Sequence, residues 1–199
     1  MASKFAEIAF TPGVKNEQKL KGSRHGYARF EQGEANDNRL GEHEAAFIAT
    51  RDSFYMATVS ETGWPYIQHR GGPDGFVRVI DNKTIGFADF AGNRQYISVG
   101  NLRANDRVSL FFMDYANQTR LKLLGRVRLT GGGDAELLKQ FHVPGYRARV
   151  ERGMIISVEG YDWNCPQHIT PRFTQAQVLS IVAPFKERIA ELETALASQ

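Results

Sequence analysis

The chain has 199 residues, 42% of them hydrophobic and 24% charged, with a formal net charge of +3. That is enough apolar material for one real core, and the length favours one domain over several. No apolar run approaches membrane-spanning length, and the basic residues are dispersed rather than gathered in a stripe, so neither a membrane nor a nucleic acid is expected as a partner.

Residues 1–41 are poor in apolar periodicity and rich in Gly, Asn, Glu and Lys, which reads as an extended arm. Isolated hydrophobes, Phe5, Ile8, Phe10, Tyr27 and Phe30, predict that the arm is draped over the body or over a partner subunit. The opening MASKFAEIAF lacks the apolar stretch and cleavage pattern of a secretory signal, and the single cysteine, Cys165, has no internal disulfide partner. A cytoplasmic protein is expected.

From Gly41 good helix formers precede apolar Ala45, Ile48 and Ala49, so a short helix should lead into a first strand, Ser53 to Ser60. Strands follow over Trp64 to Gly72, Phe76 to Ile80 and Thr84 to Ala88, with Gly71-Gly72-Pro73 and Asp81-Asn82 as breaks. Asn93 reads as the N-cap of a helix carrying Tyr96, Ile97, Val99 and Leu102. Arg107 to Tyr115 is apolar on both faces and should be a central strand. Thr119 to Thr130 returns from it, with Gly125 marking a bulge or bend. A short helix, Ala135 to Phe141, should start at Asp134, and the last long strand runs from Glu151 to Trp163. Hairpin after hairpin predicts an antiparallel sheet, closed or nearly closed. In the tail, Phe185, Ile189, Leu192 and Leu196 form an apolar stripe in a helix that begins at Pro184, with a shorter helix before it. That tail should dock on its own barrel or on a dimer mate.

Few residues carry independent chemistry. The five histidines are scattered, and Cys165 with His168 makes half a zinc site, so no metal is expected. Phe111, Phe112 and Tyr115 lack the basic companions of a platform for single-stranded nucleic acid. What remains is an anion site in outline. A helix start offers free N–H groups and a positive dipole end, and Arg94 and Arg70 add charge. Two arginines at a helix start suit a phosphate better than a carboxylate. The alternative is that both make ordinary ion pairs with Asp74, Asp89 or Asp106.

The series YIQHRGG, TIGFAD, GNRQYISVGNL and DRVSLFFMDY, in order and spacing within Ser53 to Thr130, resembles the flavin-binding core of the pyridoxamine 5'-phosphate oxidase family, the FMN-binding split β-barrels. The resemblance implies a mainly β fold with flanking helices, an antiparallel Greek-key split barrel over residues 42–173, followed by a helical tail, 174–199. It implies that the strand Gln68, His69, Arg70 and Gly71 passes along the isoalloxazine ring, its basic residue reaching the FMN phosphate, and that Ala88 and Asp89 flank the cofactor. The turn Asn93, Arg94, Gln95 matches the phosphate-holding triplet, usually Ser-Arg-Lys, so one charge is missing where Gln95 stands. Gln118 matches a position that gives an amide to the pyrimidine side, a plain turn residue being the other reading. Tyr161 to Pro166 matches a segment that family members send across the flavin of the other subunit. Trp163 would then cover the ring and Asn164 donate to it, unless Trp163 is ordinary barrel packing. The cofactor implied is FMN, held at the interface of a homodimer. The function implied is that of a flavin-dependent oxidoreductase on a small molecule, with a non-catalytic FMN carrier or sensor as the alternative. The terminal Arg-x-His segment of the vitamin B6 oxidases proper has no counterpart in the acidic tail, so pyridoxamine phosphate itself is not the expected substrate.

Overall fold

The computed structural model describes residues 2–131, 134–163 and 166–198. The chain falls into two units, Met1–Met113 with Arg120–Cys165, and Asp114–Thr119 with Pro166–Gln199. The first carries the sheet. Its strands are β1 (Ser53–Val59), β2 (Pro65–Gly71), β3 (Val77–Asp81), β4 (Thr84–Phe90), β5 (Arg107–Asp114), β6 (Thr119–Leu129) and β7 (Val150–Trp163), the tip of the β5–β6 hairpin belonging to the second unit. They form one seven-stranded sheet in the order β2-β1-β5-β6-β7-β4-β3. β2 and β3 are therefore its edges, and the sheet is an open, split barrel rather than a closed one.

Alternation explains the register. In β1, Phe54, Met56 and Thr58 are buried, while Tyr55 and Val59 face outward. Pairing of Met56 with Gln68 and of Phe54 with Arg70 fixes β2 against it. Phe54, Phe76, Phe87 and Phe112 make the centre of the core, with Phe54 lying 4.9 Å from Phe112 and 5.1 Å from Phe87 between ring centroids. Each buried ring contributes on the order of 2 kcal/mol from area alone. The bulge predicted at Gly125 is present as a register shift between Leu124 and Gly125, and a Cβ there would meet the Ser157 carbonyl oxygen at 2.6 Å.

Two expectations are corrected. Most of the arm up to Glu31 is helical, not extended: α1 (Lys4–Ala9), α2 (Pro12–Leu20), α3 (Arg24–Ala28) and a 3-10 turn (Arg29–Glu31). Their starts are set by caps, the Ser3 hydroxyl accepting from the Ala6 N–H and the Thr11 hydroxyl from the Val14 N–H, with Pro12 in the first turn. The predicted draping does occur. Asp37 accepts from the Ser3 hydroxyl and the Lys4 N–H, both at 2.6 Å, and its carbonyl accepts the Tyr161 N–H of β7. At Gly160 a Cβ would meet the Phe5 nitrogen at 2.7 Å, so only glycine lets α1 lie this close to the sheet.

The second correction is in the tail, which is one continuous helix, α7 (Gln175–Ala197), with Pro184 inside it. A capping box of Thr174 and Gln177 anchors its start. An interior proline forfeits one N–H bond and crowds the carbonyl four residues back, a cost of about 3 kcal/mol, and the helix nevertheless runs on through it. Of the remaining helices, α4 (Glu42–Ala49) and α6 (Ala135–Gln140) match expectation, and α5 (Ile97–Ala104) begins later than expected. Among the described residues no helix is long and apolar enough to cross a membrane.

Candidate functional site

α5 starts later than its sequence predicts. Asn93 is not the N-cap; its side-chain oxygen accepts the Gln95 N–H at 3.2 Å, closing a local turn. Arg94 and Tyr96 both adopt left-handed backbone, with φ of 61° and 53°, so the helix cannot propagate back through them and begins at Ile97. Val99 and Leu102 of α5 are buried in the core, and Asn101 donates to the Thr58 hydroxyl at 3.0 Å, fixing the helix to β1. The strained turn is thereby held over the end of the sheet.

Under this turn lies a cleft of about 180 Å³ lined by Gln68, Arg70, Asp89, Asn93, Arg94, Tyr96, Ser98 and Glu151 among others. β2 supplies Gln68 and Arg70, β4 supplies Asp89, and β7 supplies Glu151, with Arg152 of β7 behind Asp89. Asp89 comes beside Arg152 because these two residues are paired in the β4–β7 register. Arg70 reaches it from β2, at the opposite edge region of the sheet, through an ion pair of 2.5 Å. The pair is well shielded, with side chains 12% and 7% exposed. It joins two strands that share no backbone hydrogen bonds, at the split of the barrel.

Two cations, Arg70 and Arg94, and two anions, Asp89 and Glu151, line the cleft, and two further arginines, Arg152 and Arg149, contact those carboxylates from beyond the lining. Glu151 takes contacts from Arg149 at 3.2 Å and Arg152 at 3.0 Å, and accepts the Tyr96 hydroxyl proton at 3.2 Å. Tyr96 in turn accepts from Arg94 Nε at 3.3 Å. The Tyr96 hydroxyl first, and Glu151 after it, hold the Arg94 guanidinium more firmly charged than usual. Arg152 Nε approaches Asp89 at 3.4 Å without forming a hydrogen bond. The Nε groups of Arg70 and Arg152 are both buried with no acceptor, so the protein alone satisfies neither guanidinium.

Gln68 is oriented. Ser98 donates to its Oε1 at 2.8 Å, which leaves the amide NH2 as the group available to a ligand.

Five residues singled out from the sequence therefore line one cleft: Gln68, Arg70, Asp89, Asn93 and Arg94. Arg70 makes the ion pair with Asp89 that one reading expects, and its Nε is buried without an acceptor. Gln95 is in the same turn, contributing its N–H to Asn93. His69 alternates outward with its ring 5.6 Å from Tyr55, and Gly71 ends β2. Ala88 is buried in a small cluster with Phe141 and Ile155. Trp163 packs against Phe47 and His43, and its indole N–H donates to Glu44 at 2.8 Å, which is the barrel-packing reading. Gln118 belongs to the second unit, where its amide donates to the Ile169 carbonyl at 2.7 Å. Asn164 and Cys165 lie outside the described residues. Arg152, Glu151, Tyr96 and Ser98 were not singled out. The one signal for the first two was the charged run Arg147 to Arg152 at the head of an apolar strand.

The family model described as pyridoxamine 5'-phosphate oxidase matches residues 40–159, more than half of the chain. Among solved structures, HupZ of Group A Streptococcus is 20% identical with a TM-score of 0.51, the match covering 67% of this chain and 99% of that one. A pyridoxinephosphate oxidase family protein of Clostridium acetobutylicum, related to general stress protein 26 of B. subtilis, is 16% identical over 64% of this chain and 88% of its own, with a TM-score of 0.45. An FMN-binding protein of Syntrophomonas wolfei is 13% identical over 77% and 95%, with a TM-score of 0.44. At these identities the likeness is one of fold. No curated protein matches the chain significantly.

Proposed function

The chain belongs to the pyridoxamine 5'-phosphate oxidase family, and from that premise we propose that it is an FMN-binding protein acting as an oxidoreductase on a small molecule. The observation that carries this reading is the cleft under the Asn93–Tyr96 turn, where Arg70 in the lining and Arg152 behind Asp89 keep buried Nε donors without acceptors and Arg94 adds a further cation. A phosphate monoester is dianionic and brings three acceptor oxygens, which is what those donors lack. Arg70 and Arg94 would hold the phosphate, and Asn93 and Gln95 would shape the turn around it. Arg152 would act from behind Asp89.

A cleft of about 180 Å³ admits a phosphate and part of its chain, and falls short of the roughly 300–1,000 Å³ that enclose a drug-sized ligand. The ring of the cofactor would extend along β2, where the Gln68 NH2 is placed to donate to an acceptor at its edge. Ile67 on that strand and Trp64 just before it are 67% and 76% exposed, and Tyr55 and Val59 on β1 are exposed on the same face as Ile67. An apolar surface of this kind calls for a cover, and a second copy of the chain would complete the site as a homodimer. Bound FMN would supply hydride or single-electron transfer; the residues of this chain bind it, orient it and bias its charge.

The test is a pair of titrations followed by flavin fluorescence, one with FMN and one with riboflavin, which lacks the phosphate. FMN should bind at least about tenfold more tightly, the worth of one charged hydrogen bond. Equal affinity for both, or binding of neither, contradicts the phosphate assignment. Reduction of the bound flavin by NADH or NADPH and its reoxidation by an acceptor separates an enzyme from a carrier.

A further inference from the structure

The apolar stripe of α7 is exposed along its length. Phe185 and Leu196 are 66% and 71% exposed, Ile189 and Leu192 about half, and no residue of the helix is buried. The stripe is more regular than a docking face requires. Val178, Val182, Phe185, Ile189, Leu192 and Leu196 follow one another at steps of four, three, four, three and four, a heptad repeat with Val182, Ile189 and Leu196 at a and Val178, Phe185 and Leu192 at d. Pro184 falls at c, on the outer side, where its missing N–H does not touch the seam.

The geometry points to a parallel, in-register two-stranded coiled coil between α7 helices of two copies of this chain. β-branched residues at two a positions with leucine or phenylalanine at the later d positions favour two parallel strands. Charge agrees. In a parallel pair the g position of one helix meets the e position five residues on in its mate, which sets Arg188 against Glu193 on both sides of the seam. Within one helix Arg188 already pairs with Glu191 at 2.7 Å, and its five-donor fork can serve both carboxylates. The antiparallel alternative would set Ile189 against Leu192 and Lys186 against Glu193, leaving Arg188 facing Ala195. Fewer than three heptads are marginal alone, so the pairing draws on the subunit contact proposed above, which would hold the two helices at high effective concentration.

The test uses the full-length chain with Cys165→Ser, into which Leu192→Cys (position d) or Glu187→Cys (position f) is introduced. Mild oxidation should convert Leu192→Cys almost completely to a disulfide-linked dimer and leave Glu187→Cys unlinked. Adding Arg188→Glu should slow the Leu192→Cys cross-link severalfold, and adding Glu193→Arg as well should restore it. Absence of the cross-link, equal cross-linking from both cysteines, or indifference to the charge swap overturns the proposal. Light-scattering mass of the reduced protein, taken alongside, separates the two readings: a dimer that does not cross-link removes the coiled coil alone, and a monomer removes the subunit pairing as well. FMN content of the same samples reports the cleft independently.

Discussion

Replacing Asp89 with asparagine keeps the shape of the bridge between β2 and β4 and removes its charge. The carboxylate is 7% exposed and sits between Arg70 and Arg152, whose side chains are 12% and 21% exposed. Removing one partner of a fully buried ion pair costs about 3–5 kcal/mol, because the charge left behind has lost its solvation and its mate. Here both arginine side chains keep part of their exposure and an asparagine oxygen is still an acceptor for Arg70, which reduces the cost to about 2–3 kcal/mol. For a chain of this size that corresponds to a fall in Tm of about 4–12 °C. The same substitution removes a negative charge from beside the proposed phosphate, so FMN should bind Asp89→Asn more tightly than wild type and narrow the gap in Tm. Thermal unfolding followed by circular dichroism, with and without FMN, reads both effects. A Tm unchanged without ligand would refute the claim that this pair holds the split of the barrel, and a gap widened by FMN would refute the placing of the phosphate beside it.

Arg94→Ala should weaken FMN binding by about 1.5–3 kcal/mol, roughly ten- to 150-fold, and leave riboflavin affinity unchanged; an equal loss for both ligands in fluorescence titration would take Arg94 off the phosphate. Gly86→Ala puts a Cβ within 2.5 Å of the Phe141 ring and should cost about 1–3 kcal/mol by overpacking. Gly13→Ala, in α2 with open space around it, should cost nothing, and urea midpoints compare the two. Burial pushes the Glu44 carboxyl upward, but hydrogen bonds from the Trp163 indole, the Gly41 N–H and its own backbone N–H, with His43 after them, outweigh it, so its pKa lies below the ordinary 4.5. The stability this provides is complete above 4.5 and is lost as pH falls through the lowered value. Glu44→Gln should therefore be less stable than wild type at neutral pH, with a difference that shrinks in acid. A difference independent of pH in melts followed by tryptophan fluorescence would contradict this.

What was legible in the sequence is what local pattern dictates. Strands β1 to β7 were readable because alternate burial forces alternate chemistry, and the Gly125 bulge because an interior glycine in a strand needs a reason. The N-terminal helices were not, since they are short surface helices set by the caps Ser3 and Thr11 and carry little apolar period. Asn93 misled because an asparagine that caps its own turn looks like one that caps a helix; only the left-handed backbone at Arg94 and Tyr96 distinguishes them. Half of the cleft was readable from Arg70 and Arg94 in strand and turn. The rest, Glu151 and Arg152 behind Asp89, comes from β7, far along the chain, and is brought there by a pairing no local window contains. Trp163 shows the converse: a tryptophan at a strand end whose indole is satisfied by Glu44 within the same unit.

The most direct measurement of whether the cleft holds the phosphate of FMN is the visible absorbance of the freshly purified protein, with mass spectrometry of whatever heat denaturation releases. Flavin bands and a released mass equal to that of FMN are expected, with both lost in a chain carrying Arg70→Met and Arg94→Ala together. A colourless wild-type protein that takes up no added FMN would contradict the assignment.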